Sequence, residues 1–112
     1  MPTILVVDDE ASIRRTLQEI LEYEDYDVEQ ASDGEEALEA IRSTPYDLVL
    51  LDVKMPKLDG MEVLRAVADE APEVPVVMIS GHGTIETAVE STKLGAFDFI
   101  EKPPDQIGRA HV

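Results

Sequence analysis

The chain has 112 residues, enough for one domain with its own core, and no cysteine, which excludes disulfides, thiolate metal sites and cysteine nucleophiles. Apolar residues make up 44% of it with two Phe and no Trp, so the core must be built from Val, Leu, Ile and Ala. A net charge of −16, from 25 acidic against 9 basic residues, opposes direct binding of nucleic acid or anionic lipid.

No apolar run reaches membrane length and no basic-then-apolar leader precedes Thr3, so no membrane association and a cytoplasmic location are expected. Thr3 to Val7 reads as a first strand that ends in Asp8-Asp9. Ile13, Leu17, Ile20 and Leu21 then recur at helical spacing as one apolar stripe. Glu19, Glu22, Glu24, Asp25, Asp27 and Glu29 read as a solvated face and turn, and Tyr26 to Ala31 as a weaker second strand. Ser32-Asp33-Gly34-Glu35 has the Ser-x-x-Glu form of a capping box and opens a helix with Ala37, Leu38 and Ile41 inward.

Asp47 reads as a turn residue before Leu48 to Leu51, a third strand apolar at every position, as a strand covered on both faces must be. A helix from Gly60 to Ala71 carries Met61, Leu64 and Val67 at helical spacing. Val74 to Ile79 makes a fourth strand, with Pro75 near its start, where a missing N–H does least harm. Thr84 caps a helix through Leu94 with Ile85, Ala88 and Val89 inward, Gly95 stops it, and Asp98 to Glu101 is a fifth strand. Five strands alternating with four helices predict an α/β fold with a buried parallel sheet.

The rhythm calls for a fifth helix after Lys102-Pro103-Pro104, but Ile107 to Val112 holds no apolar stripe. A coding sequence for Gln106 to Val112 can be written that matches the start of a widely used sequencing adapter. Residues 1–104 are therefore expected to form the domain, and 105–112 a non-native or disordered tail on a truncated longer protein. The missing helix would leave apolar sheet surface bare beside the first helix and make the chain less stable and prone to associate.

In a parallel sheet with helices on both faces, ligands bind beyond the carboxyl ends of the strands. Asp8 and Asp9 end strand one, Asp52 strand three, Ser80 strand four and Lys102 strand five, so all five fall on that edge. Three carboxylates in one pocket repel, and at least one should have its pKa raised unless something compensates. A hard divalent cation compensates well, and Mg²⁺ takes oxygen ligands from one or two carboxylates together with phosphate oxygens. The Asp52 carboxylate, aimed by a buried strand, is then a third ligand or a nucleophile. As a nucleophile on phosphorus it needs charge help, which Mg²⁺, the Lys102 ammonium and the Ser80 hydroxyl can give.

These residues in this order resemble the receiver domain of bacterial two-component response regulators. The resemblance spans Thr3 to Pro104 through "ILVVDDE", "YDLVLLDVKMPKLDGMEVL" and "VPVVMISGHGTIETAVESTKLGAFDFIEKP". It implies a doubly wound, flavodoxin-like sheet of order 2-1-3-4-5, and Asp52 as phosphoacceptor for a sensor histidine kinase. It also implies Mg²⁺ held by Asp8, Asp9, Asp52 and the Lys54 main-chain carbonyl, with Lys102 pairing with the phosphoryl group. Ser80 and Phe99 would form the switch that reshapes the surface of helix four and strand five, although Phe99 also reads as an ordinary core aromatic. The resemblance implies a cis Lys102-Pro103 bond, and a homodimer surface on helix four, strand five and helix five of a full-length protein. Gly60, after Asp59 in a turn, is expected to use positive φ.

Lys54 and His82, each two residues beyond a site residue, would flank the phosphoryl group, and Gly81 stands where a small alanine is common in the family. The stretch from Ser80 to Pro103 looks particularly like receivers of enhancer-binding transcriptional activators, whose output domain would act on transcription. Two other classes compete with a signalling module. One is a Mg²⁺-dependent phosphatase with an aspartyl-phosphate intermediate, which would want a general acid where Lys54 stands. The other is an interaction domain that has lost its chemistry, against which the full acid, hydroxyl and lysine set argues.

Overall fold

The computed structural model describes residues 2–81 and 84–102. Nine elements follow in strict alternation: β1 (Thr3–Val7), α1 (Ala11–Tyr23), β2 (Asp27–Ala31), α2 (Gly34–Ser43), β3 (Leu48–Asp52), α3 (Gly60–Glu70), β4 (Val76–Ser80), α4 (Ile85–Lys93) and β5 (Asp98–Glu101). The strands form one parallel sheet of order β2-β1-β3-β4-β5, as expected. The expected fate of the fifth helix and of residues 105–112 lies outside the described residues.

Strand burial on both faces explains why residues 4–7 of β1 and 48–51 of β3 are all apolar. Leu5, Val7, Val49 and Leu51 face the larger core cluster under α2 and α3, while Ile4, Val6 and Leu50 face a smaller one that Leu17 and Leu21 of α1 cover. A strand with helices on both sides has no solvent face for a polar residue. The edge strands differ: β2 buries Ala31 alone, and β5 buries none of its residues fully.

Several local expectations are corrected by the packing. Helix α2 is capped one residue later than the Ser-x-x-Glu pattern suggests. Asp33 accepts the Glu36 N–H at 2.8 Å, and the Glu36 carboxylate accepts the Ser32 N–H at 2.7 Å. Helix α3 opens on the reciprocal form, in which Asp59 accepts the Glu62 N–H and the Glu62 carboxylate accepts the Asp59 N–H. Strand β4 starts at Val76, leaving Pro75 just outside it, where its carbonyl accepts the Val49 N–H at 3.0 Å. Glu29 is not merely solvated: it accepts the hydroxyl of buried Tyr46 at 2.6 Å.

Three apolar residues expected to point inward do not. Ile20 is 52% exposed, and on α4 Ile85 and Val89 are 84% and 47% exposed. Helix α4 is short and buries only Ser91 fully, so its spacing marks a stripe that the sheet does not take up. Gly95, at φ +110°, ends this helix as expected.

Candidate functional site

The carboxyl edge of the sheet collects the polar residues on which the strands end. Asp52 closes β3 and pairs with Ile79, so Ser80, which closes β4, lies one step further along. Asp8 is the first residue beyond β1 and Lys102 the first beyond β5. Rigid strands hold these ends in place: Asp8, Asp52 and Ser80 are 0%, 3% and 7% exposed.

Lys102 ties the edge together. Its Nζ lies 2.8 Å from Asp8 Oδ2, 3.3 Å from Asp52 Oδ1 and 3.8 Å from Glu10 Oε1. Its backbone N–H donates to the Ser80 carbonyl at 2.8 Å. The contact with Asp8 Oδ2 is electrostatic, because that buried oxygen has no aligned hydrogen-bond donor, while the Glu10 N–H donates to Asp8 Oδ1 at 2.9 Å.

Burial, followed by the negative charge of Asp8, pushes the Asp52 carboxyl up from 3.8 to about 6, with Lys102 opposing the rise in part. The expected crowding of carboxylates is thus felt at Asp52, although loss of solvent outweighs repulsion. Burial alone would lower the pKa of Lys102, but the Asp8 and Asp52 carboxylates outweigh it and hold the ammonium above its ordinary value. It stays charged at neutral pH.

Asp52, Ser80 and Lys102 open onto one cleft, whose walls include Asp9, Glu10, Lys54 and Thr87. The sequence reading singled out neither Glu10 nor Thr87. Glu10 was legible as the third acid of a run, whereas Thr87 looks like any polar residue of a helix. Among the described residues, a Cβ at Gly81 would meet the Lys102 Cδ alone, at 3.9 Å, an ordinary contact distance that leaves room there for an alanine. Asp47 sits at the opposite end of β3, as expected of a turn residue, and accepts the Thr3 N–H at 2.8 Å. Phe99 is half-buried against the larger core cluster. His82 and the Lys102-Pro103 bond lie outside the described residues.

Two glycines shape the loop after Asp52, and neither does so through positive φ. A Cβ on Gly60 would stand 2.0 Å from the Asp52 carbonyl oxygen, and its N–H donates to the Val53 carbonyl at 2.8 Å. The expected reason for Gly60 is therefore corrected: it is needed for close approach, not for an unusual backbone angle. Gly34 plays the matching part at the start of α2, where a Cβ would come within 2.3 Å of the Leu58 carbonyl. The backbone between them takes its turn at Lys57, with φ of +68°.

The donor set fits a hard divalent cation. Carboxylate oxygens of Asp8, Asp9 and Glu10 lie within 4.8 Å of one another, and oxygen donors suit Mg²⁺. The buried Asp8 Oδ2, without an aligned donor, is an atom that such a cation would satisfy. Asp52 falls outside that tight group and is joined to it through Lys102.

A sequence profile of the response regulator receiver domain matches residues 4–109. The chain belongs to that family. It is 51% identical over 102 residues to the nitrogen assimilation regulatory protein NtrX of Azorhizobium caulinodans, covering 89% of this chain and 22% of that protein. It is 42% identical to the transcriptional regulatory protein ZraR of Escherichia coli strain K12, covering 91% of this chain and 23% of that one. The chain thus spans about a fifth of the length of these curated relatives. Among solved structures, the receiver domain of NtrX from Brucella abortus superposes with a TM-score of 0.85 at 48% identity, over 91% of this chain and 87% of that one. This receiver domain has the strand order 2-1-3-4-5 of the receiver fold. No helix among the described residues is long and apolar enough to cross a membrane.

Proposed function

We propose that this receiver accepts a phosphoryl group on Asp52 from the phosphohistidine of a sensor kinase and passes the signal on by changing shape. The observation that carries the reading is the Lys102 ammonium shared between Asp8 Oδ2 at 2.8 Å and Asp52 Oδ1 at 3.3 Å, at the mouth of a cleft that Ser80 also lines. A carboxylate oxygen of Asp52 attacks phosphorus, the P–N bond of the phosphohistidine breaks, and its electron pair returns to the imidazole nitrogen. Lys102 stays beside the transferred oxygens, and the Ser80 hydroxyl donates to one of them.

Asp8, Asp9, Asp52 and the Lys54 carbonyl would hold Mg²⁺, which when bound offsets the negative charge gathering on the phosphoryl oxygens. Glu10 is within reach of the same cation. The resting protein keeps Lys102 turned to Asp8 and Asp52. Once Asp52 carries phosphate, the lysine and Ser80 follow the new charge, and the β4–β5 edge with Phe99 and α4 settles into a second packing. Lys54, exposed at the cleft, would affect attack by water on the phosphoryl group.

As in the relatives named for transcriptional regulation, the output would be control of transcription, through a separate domain in a cytoplasmic protein. The domain itself would act as a signalling phosphoacceptor, catalysing only its own phosphorylation and dephosphorylation. Homodimer formation through α4 and β5 fits the bare apolar residues there. The test is incubation with acetyl phosphate and Mg²⁺, read by intact-protein mass. A single phosphoryl adduct is expected on the wild type and none on Asp52→Asn; an Asp52→Asn protein that still gains the adduct overturns the assignment of the acceptor.

A further inference from the structure

Asp8 has a close neighbour at each of its four polar atoms. Its N–H donates to the Ala31 carbonyl of β2 at 3.2 Å, Oδ1 accepts the Glu10 N–H at 2.9 Å, and Oδ2 faces Lys102 at 2.8 Å. The remaining atom, the main-chain carbonyl, lies just past the end of β1 and so has no ladder partner. The Arg14 guanidinium takes it up: Nη1 donates to Asp8 O at 2.7 Å, while Nε donates to the Gln30 side-chain oxygen at 2.8 Å. Gln30 lies on β2 opposite Val6, and its amide donates to Gln18, which in turn donates to Glu22 at 2.9 Å.

Helix α1 shows the other side of this arrangement. Its N-cap, Glu10, makes no side-chain cap, so the start of the helix is not fixed in the usual way. Arg14, whose own N–H donates to the Glu10 carbonyl at 3.1 Å, reaches back across the first turn to the strand end instead. One residue therefore joins β1, α1 and β2 at the peptide that separates Asp8, fully buried and facing Lys102, from Asp9, exposed at the cleft.

We propose that Arg14, oriented by Gln30, is a positioning residue that fixes the Asp8–Asp9 peptide and thereby sets the affinity of the acid pair for a divalent cation. This rests on the phosphoacceptor reading above. The guanidinium suits the task because its planar fork serves two acceptors at once, which an ammonium does with less geometric control. Groups that orient metal ligands typically change affinity about 10- to 100-fold when removed.

Mg²⁺ titrated calorimetrically into the phosphate-free protein tests this. Arg14→Met should weaken Mg²⁺ binding about 10-fold, and Arg14→Lys should recover part of the loss. Gln30→Leu, on an exposed strand edge, should weaken binding about 3-fold. Should Arg14→Met fail to fold, the lysine and Gln30 variants carry the test. In the metal-free protein the amide signals of Asp9 and Glu10 should move in these variants, which shows the peptide itself shifting. Wild-type Mg²⁺ affinity in the folded variants, with only a lower melting temperature, assigns Arg14 a purely structural part and overturns the proposal. A wild type that neither binds Mg²⁺ nor takes phosphate on Asp52 overturns the phosphoacceptor reading itself, so the two failures are distinct.

Discussion

The centre of the sheet and its β5 side are built on opposite plans. At β1, β3 and β4, every strand residue except Thr3, Leu48 and Val77 is buried, and the polar side chains at or just past the strand ends are pinned by short contacts. On α4, β5 and the connection between them, by contrast, Ile85, Val89, Phe97 and Ile100 are 84%, 47%, 77% and 45% exposed, and α4 buries a single residue. Close-packed interiors resist small changes, whereas a lightly packed flank can adopt a second arrangement at little cost. Under the proposed function the chemistry would sit on the closely packed part and the partner surface on the lightly packed one, with Lys102 and Ser80 at the seam.

The contrast can be tested by substitutions on either side. Lys102→Met should have the largest effect, slowing phosphoryl uptake from acetyl phosphate about 100-fold or more, because the charge that faces Asp52 is gone. It also leaves two buried carboxylates unpaired, so the Asp52 pKa should climb further above 6. An uptake rate within a factor of two of wild type, measured by mass or radiolabel, contradicts the role given to this lysine. Gly60→Ala comes next. Its Cβ would lie 2.0 Å from the Asp52 carbonyl, and backbone cannot move aside cheaply, so a loss of about 3 kcal/mol in urea melts is expected. A near-neutral result would mean that the loop after Asp52 is softer than the rest of the centre.

The pH dependence of the metal-free protein is a third measure. Asp52 ionises near 3.8 in the unfolded chain but holds its proton to about 6 in the fold. Between those values the folded state binds more protons than the unfolded one, so stability falls as the pH rises through the window. The fall should be on the order of 3 kcal/mol. Asp52→Asn should flatten this part of the profile and be the more stable protein at neutral pH; a variant that keeps the wild-type slope assigns the effect to another group. The smallest effects are expected on the other flank. Ile85→Ser and Phe97→Ser should each change stability by less than about 0.5 kcal/mol, since these side chains are already in water. A loss of 2 kcal/mol or more from either would show that the flank is packed in solution.

How far the sequence could be read depends on how local each signal is. The order of elements and the strand-end positions of Asp8, Asp52 and Ser80 follow from apolar runs that stop at polar residues, and both the alternation and the edge placement were legible. The α2 cap was misplaced by one residue because Ser32 and Asp33 each stand three before a glutamate, so pattern alone cannot choose between them. The inward reading of Ile85 and Val89 failed because periodicity reports a stripe but not whether anything covers it. Arg14 gave no signal at all, since a basic residue on an amphipathic helix reads as solvated until β2 is seen to place Gln30 beside it.

By itself the sequence determined the α/β alternation, the double-sided burial of β1 and β3, and the set of acids, hydroxyl and lysine at the strand ends, because these follow from side-chain periodicity along one strand or helix. Only the tertiary structure decided which carboxylate Lys102 meets first, why Gly60 must lack a Cβ, and that Arg14 closes the shell around Asp8. Those outcomes depend on distances between segments far apart in the chain, which strand order and register set and no local pattern encodes.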